Sequence, residues 1–239
     1  MKDAESLEPP LVGILGGMGP AATVDLYSKL IAATPAATDQ EHLRVMIWAD
    51  PTVPDRSAAI AGEGEDPTPK LASGAQHLKD AGAEFYVVAC NGAHAFLPQV
   101  REQVDLEYLS IVDVAAEHIE ALPFASAAGL LATDATLTSQ LYQDAFAARG
   151  ISPVLPVEAD QRAVMEAIYA VKAGSLTEPL RERLAEVVDT LAAEGADVVV
   201  AGCTEIPLAL AAESASRPLI DPATLLANRV VERALRRQR

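Results

Sequence analysis

Cys90 and Cys203 are the only cysteines in the 239-residue chain, and their surroundings repeat. Ala81-Gly82-Ala83-Glu84-Phe85-Tyr86-Val87-Val88-Ala89-Cys90 aligns with Glu194-Gly195-Ala196-Asp197-Val198-Val199-Val200-Ala201-Gly202-Cys203, 113 residues later. Each thiol thus closes an apolar run and precedes a helical segment. In open α/β sheets that is where ligands gather, at the carboxyl ends of the strands. A nearby helix amino terminus can lower a thiol pKa from about 8.5 toward neutrality. Thr204 is a candidate N-cap, and Pro207 suits the first turn that follows. Two such sulfurs facing one carbon acid could act as a base pair. One removes a proton, the other delivers a proton to the opposite face, and the carbon inverts. The competing reading is a pair of packed core cysteines, because free Cys is among the most buried residue types. Their repeat-related placement favours chemistry.

Two further blocks extend the repeat. Gly13-Ile14-Leu15-Gly16 answers Gly129-Leu130-Leu131-Ala132 at a spacing of 116, and Ser110-Ile111-Val112-Asp113 answers Pro218-Leu219-Ile220-Asp221 at a spacing of 108. Short apolar runs predict strands over 11–15, 45–48, 85–89, 109–112, 128–132, 198–201 and 218–220. Amphipathic stretches predict helices over 21–33, 70–81, 140–149, 160–173 and 180–194. Gly82 and Gly195 read as helix C-caps, and 60–69 as a loop or flap. The fold class is therefore α/β: two similar pseudo-symmetric α/β domains, each a mainly parallel sheet flanked by helices, with the active site in the cleft between them. The expected boundaries are 1–108, completed by a C-terminal helix over about 221–239, and 109–220.

Composition narrows the function. With 18 Lys+Arg against 34 Asp+Glu, the formal charge is −16, and aromatics are 4% of residues. Neither a basic phosphate-binding patch nor a base-stacking platform is expected, so no nucleic-acid partner. Two cysteines are too few for a disulfide scaffold. The first ten residues lack a basic and apolar leader pattern, and no long uncharged apolar run predicts a membrane span. A cytoplasmic location is the expectation. His42, His77, His94 and His118 are scattered and form no zinc-like spacing, so no metal is expected; only His94, four residues after Cys90, stands near the chemistry.

At these motifs the chain resembles the cofactor-independent aspartate/glutamate racemase family over nearly its whole length. The resemblance is carried by Gly16-Gly17-Met18-Gly19-Pro20-Ala21-Ala22-Thr23, Asp39-Gln40-Glu41-His42, Pro54-Asp55-Arg56 and Cys90 through His94. It continues in Leu130-Leu131-Ala132-Thr133, Val171-Lys172-Ala173-Gly174 and Gly202-Cys203-Thr204-Glu205. It implies a homodimer, a two-base mechanism without pyridoxal phosphate or metal, and a small amino-acid substrate, dicarboxylic by analogy with aspartate and glutamate. It further implies Cys90 and Cys203 as catalytic cysteines and Arg56 and Lys172 as carboxylate-binding cations. Met18, Asn91, Thr133, Thr136 and Thr204 would line the substrate, with His94 and Glu205 in support. Without the resemblance, Arg56 reads as a surface partner of Asp55, Glu63 or Glu65, and Lys172 as a solvated helix residue.

The departures concern substrate choice. Gly92 stands where the family block has Thr, Ala135 where Gly is common, and Asp50 where Asn is frequent. Gly92 removes a hydroxyl beside Cys90 and adds space to the substrate-binding positions, and a carboxylate at Asp50 would repel a dicarboxylate if it faced the cleft. Racemisation of aspartate or glutamate is the leading expectation. The alternatives are isomerisation of another carbon acid and a non-catalytic two-lobed protein binding a small acid. Gly17-Met18-Gly19-Pro20-Ala21-Ala22 also satisfies a short dinucleotide pattern, but it lacks the acidic residue expected about 20 positions on.

Overall fold

A computed structural model describes residues 9–236; most of the 1–10 segment, read above for a leader pattern, and the last three residues of the expected 221–239 helix lie outside them. The first half runs β1 (Leu11–Gly16), α1 (Pro20–Ala33), β2 (Arg44–Ala49), α2 (Arg56–Ile60), α3 (Thr68–Asp80) and β3 (Phe85–Val88). It closes with α4 (Leu97–Gln103), β4 (Tyr108–Leu109) and α5 (Ile111–Glu120). The second half runs β5 (Ala127–Leu131), α6 (Asp134–Thr138), α7 (Leu141–Ala147), β6 (Ser152–Val154), α8 (Glu158–Ala173) and α9 (Glu178–Ala193). It ends with β7 (Val198–Ala201), α10 (Ile206–Ala209), β8 (Leu219–Ile220) and α11 (Pro222–Arg236).

Two four-stranded sheets result, ordered β2-β1-β3-β4 and β6-β5-β7-β8, and every pairing is parallel. The two orders are the same order, which is the pseudo-symmetry expected from the repeat. In each sheet the direction of winding reverses beside its first strand. The crevice at such a switch point opens at the strands' carboxyl ends. Cys90 follows β3 and Cys203 follows β7, so each thiol stands at a switch point.

Strand alternation sorts side chains between layers. Val12, Ile14, Phe85, Val87, Ala128, Leu130, Val198 and Val200 enter one core shared by both sheets with α1, α5, α7 and α11. Their neighbours face outward: Tyr86, Val88 and Cys90 pack under α3 and α4, and Val199, Ala201 and Cys203 pack under α8 and α9. The two sheets are thus fastened by a common apolar layer rather than by a linker. Each fully buried large aliphatic side chain in it contributes roughly 1.5–3 kcal/mol.

The structure corrects several expectations. The strand expected over 109–112 stops at Leu109. The Ser110 hydroxyl accepts from the Asp113 backbone N–H at 3.1 Å and starts α5, whose buried Ile111, Val112, Ala115, Ala116 and Ile119 follow a helical period. The third repeat block therefore shifts by three residues: Tyr108-Leu109 corresponds to Leu219-Ile220, since both pairs bond to equivalent positions of β3 and β7. β6 was not expected, because its Ser152 and Pro153 are exposed on an edge and form no apolar run. The 60–69 segment is α2's last residue, a loop and α3's first turn, with Glu63 and Gly64 N–H groups both bonded to the Ala58 carbonyl. Gly82 and Gly195 do end their helices, with φ of 88° and 98°.

The loop after β1 carries the tightest local constraint. Gly17 has φ 92°, and a Cβ there would lie 2.5 Å from Asp50 backbone atoms. Thr23, from α1, ties the loop by accepting from the Gly17 N–H at 2.8 Å and donating to the Gly19 carbonyl at 2.9 Å. Gly17→Ala combines a left-handed backbone with an overpacked contact and should cost about 2–4 kcal/mol. A urea midpoint equal to that of the wild type would refute this.

Candidate active site

The two switch points face one cleft. Met18 enters it from the β1 loop and Arg56 from the start of α2; Cys90, Asn91 and Gly92 enter from the end of β3. From the second half come Thr133 and Thr136 after β5, Lys172 near the end of α8, and Cys203, Thr204 and Glu205 after β7. Both cysteines are free and only 8% exposed, and the cleft encloses a cavity of about 30 Å³. Of the expected site residues, His94 alone lies outside the lining. Asp55, Ser57 and Gly202 also line the cleft; Asp55 and Gly202 stand in the motif blocks beside expected site residues, whereas Ser57 carried no signal in the sequence.

The thiols have different surroundings. The Cys203 Sγ donates to Glu205 Oε2 at 2.9 Å, and the Thr204 hydroxyl donates to the same oxygen at 3.3 Å. Burial pushes the Cys203 thiol well above its ordinary pKa, and the Glu205 carboxylate adds to the rise; the Glu205 backbone N–H and the Lys172 ammonium oppose it. The expected lowering by a helix terminus does not hold at Cys203. Residues 206–209 make only four helical residues, and a carboxylate stands beside the sulfur. Thr204 is not the N-cap either: Glu205 occupies that position, with Pro207 in the first turn as expected.

Asn91 and Arg56 present unused donors. The Asn91 Oδ1 accepts from the Tyr142 hydroxyl at 2.6 Å, while its buried Nδ2 has no partner. Arg56 Nη1 donates to the carbonyls of Val53 and Pro54 at 3.1 and 2.9 Å, and Nη2 to the Met18 carbonyl at 3.4 Å. Its buried Nε is unpartnered. Backbone carbonyls therefore hold the guanidinium, rather than the carboxylates of Asp55, Glu63 or Glu65. Buried donors without partners cost about 1–3 kcal/mol each, and a bound anion would repay that cost. Lys172 is exposed at the mouth, its ammonium 5.7 Å from the Tyr169 ring centroid.

Thr133 and Thr136 are joined. Thr133 Oγ1 accepts from the Thr136 N–H at 3.2 Å, capping α6, and the two hydroxyls lie 3.0 Å apart. Asp50 does not face the cleft. Its carboxylate accepts from the Thr52 N–H and hydroxyl at 2.8 and 2.6 Å and lies 3.8 Å from Lys70, so it does not repel a ligand there. Ala135 is buried outside the cleft lining, against the α2 side. At Gly92, a Cβ would find Arg56 Cβ and Thr136 Oγ1 no nearer than 3.8 Å, so the missing side chain leaves usable room.

Two strand-end thiols and two unpartnered donors, Asn91 Nδ2 and Arg56 Nε, thus belong to the lining of one buried cleft. Residues 15–230 match the Asp/Glu/hydantoin racemase family model. The chain belongs to that family, and it is an amino-acid racemase, an isomerase. It is similar to the broad specificity amino-acid racemase RacX of Bacillus subtilis, with 28% identity over 92% of this chain and 96% of the relative. Picrophilus torridus aspartate racemase superposes with a TM-score of 0.83 at 32% identity, covering 94% of both chains. An aspartate racemase homologue from Pyrococcus horikoshii superposes with a TM-score of 0.76 at 25% identity, covering 94% of this chain and 98% of that one. Among the described residues, no helix is long and apolar enough to cross a membrane, and no cluster of His, Cys, Asp and Glu could hold a metal.

His94 stabilises the Cys90 turn from behind. Its Nδ1 is 2.9 Å from the Cys90 carbonyl, and its Nε2 accepts from the Ile111 N–H at 3.2 Å. The first contact requires Nδ1 to carry the proton and the second requires Nε2 to be bare, so the ring is neutral. Burial lowers its pKa to about 4, against the raising effect of the backbone contacts. Unfolded His binds a proton near pH 6.5 and the folded ring does not, so this site's stability is complete above pH 6.5 and is lost as pH falls toward 4. The shift corresponds to about 3 kcal/mol. In denaturant titrations at pH 7 and pH 4.5, wild type should lose about that much more stability than His94→Gln; equal losses would sink the assignment.

Proposed function

We propose that the chain interconverts L- and D-aspartate, or glutamate, by a cofactor-independent transfer of the Cα proton between Cys90 and Cys203. The observation that carries this reading is the pair of thiols lining one buried cleft with the unpartnered Asn91 Nδ2 and Arg56 Nε. The substrate α-carboxylate accepts from those two donors. Charge that develops on it as the Cα–H bond breaks is met by groups already in place. Lys172, at the mouth, takes the side-chain carboxylate, and Thr133, Thr136, Thr204 and Met18 fix the remaining faces.

In one direction the Cys90 sulfur, as thiolate, accepts the Cα proton, and the electron pair delocalises into the carboxylate. The Cys203 thiol then gives its proton to the opposite face. The thiol and thiolate have now exchanged, so the reverse reaction starts from the other side. Cys203 fits the donor role at rest, because its sulfur already holds a proton that it shares with Glu205.

The test uses protein dialysed against a chelator and incubated with each enantiomer in deuterated water. Deuterium should enter Cα, and both enantiomers should accumulate. Cys90→Ser and Cys203→Ser should each fold and each lose about 10²–10⁴-fold in rate. Absence of exchange with aspartate and glutamate would remove the substrate assignment; exchange surviving either replacement would remove the mechanism.

A broader substrate range is the second reading, favoured by the room beside Gly92. RacX, the similar Bacillus protein, is named for broad specificity. Gly92→Thr should fold without loss and shift the aspartate preference over larger amino acids by about threefold or more, the scale of one added polar contact. An unchanged preference would show that this space does not select the substrate.

A further inference from the structure

We propose that Tyr142 is a positioning residue of this site, whose hydroxyl locks the Asn91 amide so that its NH₂ end faces the substrate. The inference rests on the racemase reading of the cleft and deepens it. Tyr142 lies on α7 and Asn91 follows β3, 51 residues apart in sequence and in opposite halves of the molecule. The two side chains are 0% and 2% exposed, and the hydroxyl donates to Oδ1 at 2.6 Å.

An amide's two ends are nearly the same shape but opposite in hydrogen bonding. Packing alone would let Asn91 present either end to the cleft, and a carbonyl oxygen there would repel a carboxylate. A flip would also deprive the Tyr142 proton of its acceptor inside the core, and a stranded buried donor is strongly disfavoured. Burial pushes the Tyr142 hydroxyl well above its ordinary pKa, so it stays a donor. The tyrosine thus breaks the symmetry of the amide, and Nδ2 is left as the buried, unpartnered donor that is observed.

The backbone that delivers the ring is itself unusual. Gln140, two residues earlier, holds a left-handed conformation with φ 55°, uncommon outside glycine. It is fixed by the Gln140 N–H to the Leu137 carbonyl at 3.2 Å and by the Asp144 N–H to the Gln140 carbonyl at 2.8 Å. This turn between α6 and α7 points Tyr142 inward, where its ring packs on Phe146 with centroids 5.6 Å apart. Because that packing does not use the hydroxyl, Tyr142→Phe keeps the fold and removes only the lock.

Steady-state racemisation of aspartate in wild type, Tyr142→Phe, Asn91→Ala and the double variant provides the test. Tyr142→Phe should raise KM about tenfold, the scale of one hydrogen bond to a carboxylate, with a smaller change in kcat. In the Asn91→Ala background it should add nothing. An unchanged KM, or losses that multiply in the double variant, would overturn the proposal. If wild type turns over neither enantiomer, the substrate reading falls. The ¹⁵N relaxation of the Asn91 side-chain amide then decides alone: rigid in wild type and mobile in Tyr142→Phe supports the lock, and equal mobility overturns it.

Discussion

Two parallel sheets must present their carboxyl edges to the same small volume, and the shared apolar layer between them makes that possible. A parallel sheet places its useful loops at one edge, at the strand where its winding reverses. One sheet can supply one side of a stereocentre; the proposed transfer between two thiols uses both. Val12, Ile14, Phe85 and Val87 of one sheet and Leu130, Val198 and Val200 of the other belong to one continuous core. The relative position of Cys90 and Cys203 is therefore set by close packing, which does not deform continuously. Polar contacts finish the alignment: the Tyr142 bond to Asn91 spans the two halves at the cleft itself.

The electrostatics of the cleft run against those of the chain. A molecule of formal charge −16 repels an acidic ligand at long range, but salt screens that field beyond about 8 Å. Inside the cleft, the unpartnered donors of Arg56 and Asn91 are fixed before any ligand arrives. Glu205 is the exception, a buried carboxylate among groups that favour anions. Its contacts with Cys203 and Thr204 explain its place: it holds the proton on one sulfur.

What could be read from the sequence was whatever burial writes as an unbroken apolar run. All four residues of β3 and of β7 are buried, and both strands were evident together with the cysteines that follow them. Where an edge strand lacks that run the pattern fails: β6 holds the exposed Ser152 and Pro153, and β4 is two half-buried residues continued by the apolar start of α5. The misplaced third repeat block has the same origin. Ile111-Val112 and Leu219-Ile220 are alike as apolar pairs, yet one opens a helix and the other is a strand. Eleven of the twelve residues expected at the site line the cleft, because the family resemblance carried them. Tyr142 could not be found this way: its hydroxyl matters only through a contact 51 residues distant, and no periodicity reports which partner a buried polar tip will meet.

The scaffold is symmetric where the two thiols are held and asymmetric where they are tuned. Behind Cys90, the neutral ring of His94 grips the backbone carbonyl; beside Cys203, Glu205 grips the sulfur itself. The two-thiol mechanism proposed above requires this combination. The two enantiomers differ only in which face of Cα carries hydrogen, so the bases must occupy equivalent positions across that carbon. The carboxylate and side chain are common to both enantiomers, so in the proposed mechanism one set of donors, on Arg56 and Asn91, serves both. Duplicating the α/β unit supplies the first requirement, and divergence between the halves, such as Asn91-Gly92-Ala93-His94 after one cysteine against Thr204-Glu205-Ile206-Pro207 after the other, contributes to the second.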